Sequence, residues 1–284
     1  MFRFMNNVKT AMLLAVLMAI FILIGSHWGP NGMIAAFIFG GVMNLVAYFY
    51  SDKIALATMG AKEVTPGEYP EIYQIVNDLA NRAKLPMPKI YIAPTGVPNA
   101  FATGRNPQHA VVCLTAGIMR ILDRDEIAAV IGHELSHVKN YDMLISTIAA
   151  TIAGAMTMLA HMAIFLPIGG GDNRRGNPLA GLLMIILAPI AAGLIQMAIS
   201  RKREYNADSL GAELVGNPMF LATALEKLDY ANKKMPMELA NPAQSSLFIV
   251  KPLTGGGLTS LFSTHPATRA RIQALIGRPT TGRI

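Results

Sequence analysis

Residues 130–156 read VIGHELSHVKNYDMLISTIAATIAGAM, and two solvents meet inside them. The first half carries His133-Glu134-Leu135-Ser136-His137, a set of side chains suited to holding a metal ion and handling water. The second half, from Met143, carries no charge and belongs in lipid. The order His-Glu-x-x-His has a meaning on a helix, where positions i and i+4 share one face and two imidazoles can hold one ion. Asp123 followed by Glu126 reads as a capping box that starts this helix about ten residues before His133. Ile127, Val130, Ile131, Leu135 and Val138 recur at helical spacing and give it a buried side. Burying Glu134 among such neighbours is costly without a partner, which argues against a solvated surface helix. The motif helix is expected to run straight on into the apolar run.

Working outward, the lipid half is one of four such stretches. No Asp, Glu, Lys or Arg occurs from residue 10 to residue 51, a run of 42. One helix crosses a bilayer with about 20 residues, so this run is sized for two. The break falls at SHWGPNG, residues 26–32. Trp28 near that turn, with Tyr48 and Tyr50 at the far end, suits the two interfaces. A second uncharged pair spans Met143 to Gly171 and Gly176 to Ser200, separated by DNRR. Pro189 is a candidate kink, and His161 within the third run reads as a hydrogen-bonded or interfacial residue. Charged residues make up 14% of the 284-residue chain against about 25% in soluble domains, which supports a membrane protein. The net charge of +7 comes from residues flanking the apolar runs, without a basic stripe interleaved with aromatics. The counter-surface it suits is anionic lipid, not nucleic acid. The single cysteine, Cys113, excludes an intrachain disulfide and sits in apolar VVCL as a core residue.

Basic residues in short loops set orientation. Arg3, Lys9, Lys53, Lys62, Lys139 and Arg201-Lys202-Arg203 fall on one side of a four-span topology, with Arg174 and Arg175 on the other. Both termini and the polar sequence are therefore expected in the cytoplasm. The two arginines leave open a second hairpin that does not fully cross. The expected fold is mainly α with a small β-sheet: a polytopic membrane protein of four hydrophobic helices with a zincin-like cytoplasmic catalytic domain. Its parts are a transmembrane hairpin (1–52), a first catalytic segment with the motif helix (53–142), a second hairpin (143–199) and a second catalytic segment (200–284). PGEYPEIYQIVNDLANRAKL reads as helix, and KIYIAP, NAFATG and AVVCLT read as strands.

A catalytic zinc takes three protein ligands and keeps one position for water. No third histidine follows on the motif helix. Glu204, in SRKREYNADSLGAELVG, is the expected ligand, because a hairpin at 143–199 brings its helix back to the end of the motif helix. Asp208 lies one turn on, placed to accept a hydrogen bond from a ligand imidazole. Glu213 is the rival, two turns further from the bilayer. NAFATG is expected to offer a strand edge to an extended substrate through Asn99, Ala100, Phe101 and Ala102.

GHELSHVKNYD, EYNAD and STHPATRARI, together with the four apolar runs, resemble the HtpX membrane zinc endopeptidases, relatives of the CAAX prenyl endopeptidases, over essentially the whole chain. The resemblance implies a bacterial inner-membrane protease with a cytoplasmic site, one Zn²⁺ per chain, and a stress or quality-control role against misfolded membrane proteins and unfolded polypeptides. By position it makes His133, His137 and Glu204 the zinc ligands and Glu134 the general base. Phe101 falls in the substrate-side strand, and His265 and Arg271 match an HP-x4-R pattern. His265 is the candidate second donor to the oxyanion, with a helix-start role as its alternative, and Arg271 is an expected ion-pair partner. Two other readings stand beside this one: a membrane scaffold or chaperone with a structural metal, and a prenyl-protein endopeptidase. Structural zinc sites are usually closed by four ligands, often cysteine, which this chain does not offer at the motif.

Overall fold

The structure, a computed structural model, describes residues 2–26, 29–149, 151–152, 201–234, 249 and 266–277. It opens with an antiparallel pair of long helices, α1 (Phe2–Gly25) and α2 (Gly29–Thr58). The pair is held by close packing: Phe21 meets Phe39 edge-on at 5.3 Å, and Asn44 Nδ2 donates to the Leu14 carbonyl at 3.1 Å. The turn is shorter than SHWGPNG suggests. Pro30 and Asn31 already lie in α2, where proline at the start of a helix is favoured because its missing N–H has no intrahelical partner there.

Among the described residues, only α2 is long and apolar enough to cross a bilayer, and it turns Ile34, Phe37, Ile38, Val42 and Leu45 outward. The apolar part of α1 is shorter, Val8–Leu23. At 1.5 Å per residue it spans roughly 24 Å, less than a hydrocarbon core of about 30 Å. Of the four expected spanning helices, α2 is the one found among the described residues, and the second expected pair lies outside them apart from its first turns. Nor does α2 stop at Asp52. Its thirty residues run on until Ala55 and Leu56, with Met59 beyond them, pack on the outer face of the sheet against Ala93, Phe101, Val111 and Cys113.

That sheet has four strands: β1 (Lys62–Glu63), β2 (Lys89–Ala93), β3 (Ala100–Thr103) and β4 (Val111–Thr115), in the order β1-β2-β4-β3. β2 and β4 are parallel and the other pairs antiparallel. β4 is buried at all five positions, as an unbroken apolar run in the middle of a sheet should be. β1, two exposed residues, gives no sequence pattern to read.

The inner face meets helices. α3 (Pro70–Ala83) buries Ile72, Ile75, Val76 and Leu79 at helical spacing and ends at Lys84, whose φ of 57° is left-handed. After α4 (Ala116–Ile121) comes α5 (Arg124–Lys139), whose capping box is complete. Asp123 Oδ1 accepts from the Glu126 N–H at 2.9 Å, and Glu126 Oε2 accepts from the Asp123 N–H at 3.0 Å. α5 packs against α6 (Arg201–Val215), α7 (Pro218–Lys234) and the sheet, while α8 (Thr268–Ile276) closes over α6 and α7.

The motif helix does not run straight into the apolar run, as its sequence suggested. It ends at Asn140, and Tyr141 takes a left-handed φ of 59°. The Asp142 N–H then donates back to the His137 carbonyl at 3.0 Å, and a new helical stretch begins at residue 143. The capping hydrogen bonds of the break satisfy carbonyls the helix end leaves open.

Candidate metal centre

Three side chains from two helices converge. His133 and His137, one turn apart on α5, bring their Nε2 atoms to 3.2 Å. Glu204, in the first turn of α6, places Oε2 3.8 Å from His133 Nε2 and Oε1 3.7 Å from His137 Nε2. Donors at about 2.0–2.1 Å around a tetrahedral ion stand roughly 3.4 Å apart, so the two nitrogens and the carboxylate are close enough, and of the right nitrogen-and-oxygen chemistry, for a metal site.

The helices reach this proximity through two glycines. Gly132 on α5 faces Gly211 on α6, and a Cβ on Gly211 would lie 2.7 Å from the His133 backbone nitrogen. Only a residue without a side chain lets the backbones come so close. Glu213, the rival ligand, is exposed on α6 and belongs to another face.

Behind His133 sits a buried ion pair. Asp208 Oδ1 lies 2.9 Å from His133 Nδ1, so the ring donates there and turns Nε2 inward. Arg271 grips the same carboxylate with two bonds, Nε to Oδ2 at 2.8 Å and Nη2 to Oδ1 at 2.6 Å. Its Nη1 donates to the Ile249 carbonyl at 2.8 Å. Nη2 also approaches His133 Nδ1 at 3.5 Å, too far to compete with Asp208 for that ring position. Burial alone would raise the Asp208 pKa, but Arg271, with His133, outweighs it and holds the carboxyl well below the usual carboxylate range. Arg271 is raised in turn, Asp208 overcoming its burial. For His137, burial works against the charged form, yet Glu204, Asp142 and Glu134 prevail and lift its pKa to about 9. The carboxylates that attract this proton attract a cation equally.

Glu134 is buried beside the trio with one oxygen engaged: the Ala102 N–H donates to Oε2 at 2.8 Å. This changes the reading of NAFATG. β3 is the sheet edge, and the Asn99 carbonyl faces β4, accepting from the Thr115 N–H at 3.0 Å. Alternation along the strand then turns the backbone groups of Ala100 and Ala102 outward. Of these, the Ala102 N–H is already taken by Glu134. Phe101 points its side chain to the opposite face, into the cluster under α2, and not toward Glu134. Asn99 is fully buried, and its Oδ1 accepts from the Ile249 N–H at 3.1 Å. His265 lies outside the described residues.

Two residues the sequence did not assign to the site complete the surroundings. Asp142 Oδ2 lies 3.3 Å from His137 Nδ1, and Arg203 Nε stands 3.5 Å from Asp142 Oδ1. Asp142 is five positions from His137, off its face on a continuous helix, so only the turn at Tyr141 reveals the contact.

A His-Glu-x-x-His helix crossed by a glutamate-bearing helix, beneath the edge of a small mixed sheet, defines a metallopeptidase. The chain belongs to peptidase family M48, which it matches over residues 66–278. It is 51% identical over 276 residues to a protease HtpX homolog of Syntrophotalea carbinolica, covering 95% of this chain and 98% of that protein. It is 54% identical over 274 residues to the one from Salinibacter ruber, covering 95% and 97%. With the one from Burkholderia cenocepacia it shares 50% over 283 residues, covering 98% and 99%. Among solved structures, S. mikatae Ste24p matches with a TM-score of 0.48 and 19% identity, over 96% of this chain and 66% of that one. Together with the apolar α2, the family makes this a membrane metalloprotease.

Proposed function

We propose that the chain is a zinc endopeptidase that cuts membrane proteins, in loops or unfolded flanks exposed to the cytoplasm, as part of quality control. The observation that carries this is the convergence of His133, His137 and Glu204 with Glu134 beside them. The two nitrogens and one carboxylate would hold Zn²⁺ and leave a position for water. Zinc held there would supply Lewis acidity to a water and to the scissile carbonyl.

The chain's own groups do the rest. Glu134, fixed at Oε2 by the Ala102 N–H, keeps Oε1 to take the water proton and hand it to the leaving amine. Asp208 and Arg271 hold the His133 ring so that Nε2 faces inward. The Ala102 carbonyl, on the outward side of β3, can pair with an extended peptide at the sheet edge.

Support for this location comes from α2. Its lipid-facing length ends on the outer face of the same sheet whose edge contacts Glu134, and the third apolar run begins six positions after His137. A site held near the interface meets chains tethered in the same membrane at high effective concentration. Basic loop residues favour the cytoplasmic side and a four-span topology.

A reporter membrane protein with its susceptible loop moved stepwise away from its span tests the proposal, with cuts mapped by mass spectrometry. Cleavage is expected to fall with distance and to stay on the cytoplasmic side. Cuts only in periplasmic loops, or only within a span, refute it.

A further inference from the structure

The two ligand histidines are served by matching arrangements, and one of them has no assigned role. His133 Nδ1 faces Asp208, which Arg271 grips. His137 Nδ1 faces Asp142, which Arg203 approaches from α6. Asp142 and Arg203 are both buried. Buried charges of this kind persist where they are paired and hydrogen-bonded.

The backbone is shaped to make the second arrangement. On a continuous helix, residue 142 would sit about 140° around from residue 137, because five residues turn the helix by roughly 500°. The left-handed Tyr141 breaks the helix, and the Asp142 N–H bonds to the carbonyl of His137, the residue its carboxylate faces. One residue therefore holds His137 at two points, through main chain and ring. The covalent setting adds a second feature. Asp142 immediately precedes the apolar run that begins at Met143, and Arg203 lies three residues beyond Ser200, where the last apolar run ends. Their contact ties together the two ends of the segment 143–200 at the metal centre.

We propose that Asp142, held by Arg203, is the positioning residue for His137. The inference rests on the proposed metal site. The Asp142 carboxylate accepts the His137 Nδ1 proton, which keeps Nε2 as the donor facing His133 and Glu204. A partner of this kind is worth roughly 10–100-fold in metal affinity.

The test uses the full-length protein in detergent, with zinc affinity measured by competition against a chromophoric chelator and folding followed by thermal melting. Asp142→Ala is expected to lower affinity 10–100-fold. Asp142→Asn keeps an oxygen that accepts from Nδ1, so its loss should be several-fold only. Adding Arg203→Ala to Asp142→Ala should cause little further loss, because the arginine acts through the aspartate. Zinc affinity of Asp142→Ala within twofold of wild type overturns the proposal, and so do additive losses in the double variant. If the alanine variant does not fold, Asp142→Asn decides: unchanged affinity in a protein that melts as wild type is the overturning result. His137→Ala separates the two readings. If it binds zinc as wild type does, the metal site itself is wrong. If it loses zinc while Asp142→Ala retains it, only the positioning role fails.

Discussion

Replacing Gly211 with alanine should disable the site without replacing any ligand. A Cβ there would lie 2.7 Å from the His133 nitrogen, 2.9 Å from its Cα and 3.0 Å from the Gly132 carbonyl carbon. Ordinary contact begins at 3.4 Å, so α5 and α6 must separate by at least 0.7 Å at the crossing. The obstructing atoms are all backbone, so no rotamer change relieves the clash. Glu204 lies seven residues earlier on α6, roughly 10 Å along the axis, and is carried with it. A rigid retreat of α6 would widen the 3.7 and 3.8 Å separations between Glu204 and the histidines by a similar amount, past what one ion can bridge. Misplacement on the order of 1 Å costs about 10²-fold in rate, and overpacking of this kind costs about 1–3 kcal/mol in stability. Alanine is the better helix former by about 1 kcal/mol, which offsets part of the second figure and none of the first. Peptide cleavage and zinc affinity should therefore fall together while the protein still melts cooperatively. Gly67→Ala, where nothing lies within 4 Å of the added methyl, is the control. A Gly211→Ala protein that binds zinc and cleaves within twofold of wild type would falsify the account of how the two helices assemble the site.

Other expectations follow from single contacts. Glu134→Gln should keep zinc and lose at least 10²–10⁴-fold in peptide cleavage, read by casein digestion with added zinc; near wild-type turnover rules Glu134 out as base. Glu204→Gln should strip zinc on gel filtration, while Glu213→Gln, on the exposed face, should retain it by elemental analysis; the opposite pattern reverses the ligand assignment. Ala102→Pro removes the N–H that fixes Glu134, so cleavage should drop with zinc content unchanged, and loss of cooperative melting would mark β3 as purely structural. Burial pushes the Cys113 thiol up to about 12. The folded state thus prefers the protonated thiol, and its contribution to stability is intact below the unfolded pKa of about 8.5 and declines as pH rises above it. Iodoacetamide at pH 8 should label Cys113 only on unfolding, and rapid labelling of the folded protein would contradict its burial.

The sequence by itself determined those features whose cause is local. Asp123 and Glu126 cap α5 because their side chains reach the first free N–H groups of the helix they start. His133 and His137 face one way because four residues make about one turn. The strands in KIYIAP and AVVCLT, and the outward apolar side of α2, follow from periodicity and run length. Glu204 and Asp208 were legible because a hairpin expected over 143–199 would return the chain to where it left, and both side chains do lie against His133. What the tertiary structure decided lies where distant segments meet or where a single φ changes direction. The contact of Gly132 with Gly211 depends on two helices crossing, and two isolated glycines carry no period to announce it. The burial of Phe101 under α2, and the capture of the Ala102 N–H by Glu134, depend on which face of a short edge strand meets which helix. Asp142 reaches His137 only through the left-handed Tyr141, since helical spacing places residues 137 and 142 on different faces. Periodicity reports the face of an element, but contacts between elements and the turns that redirect them belong to the packed chain.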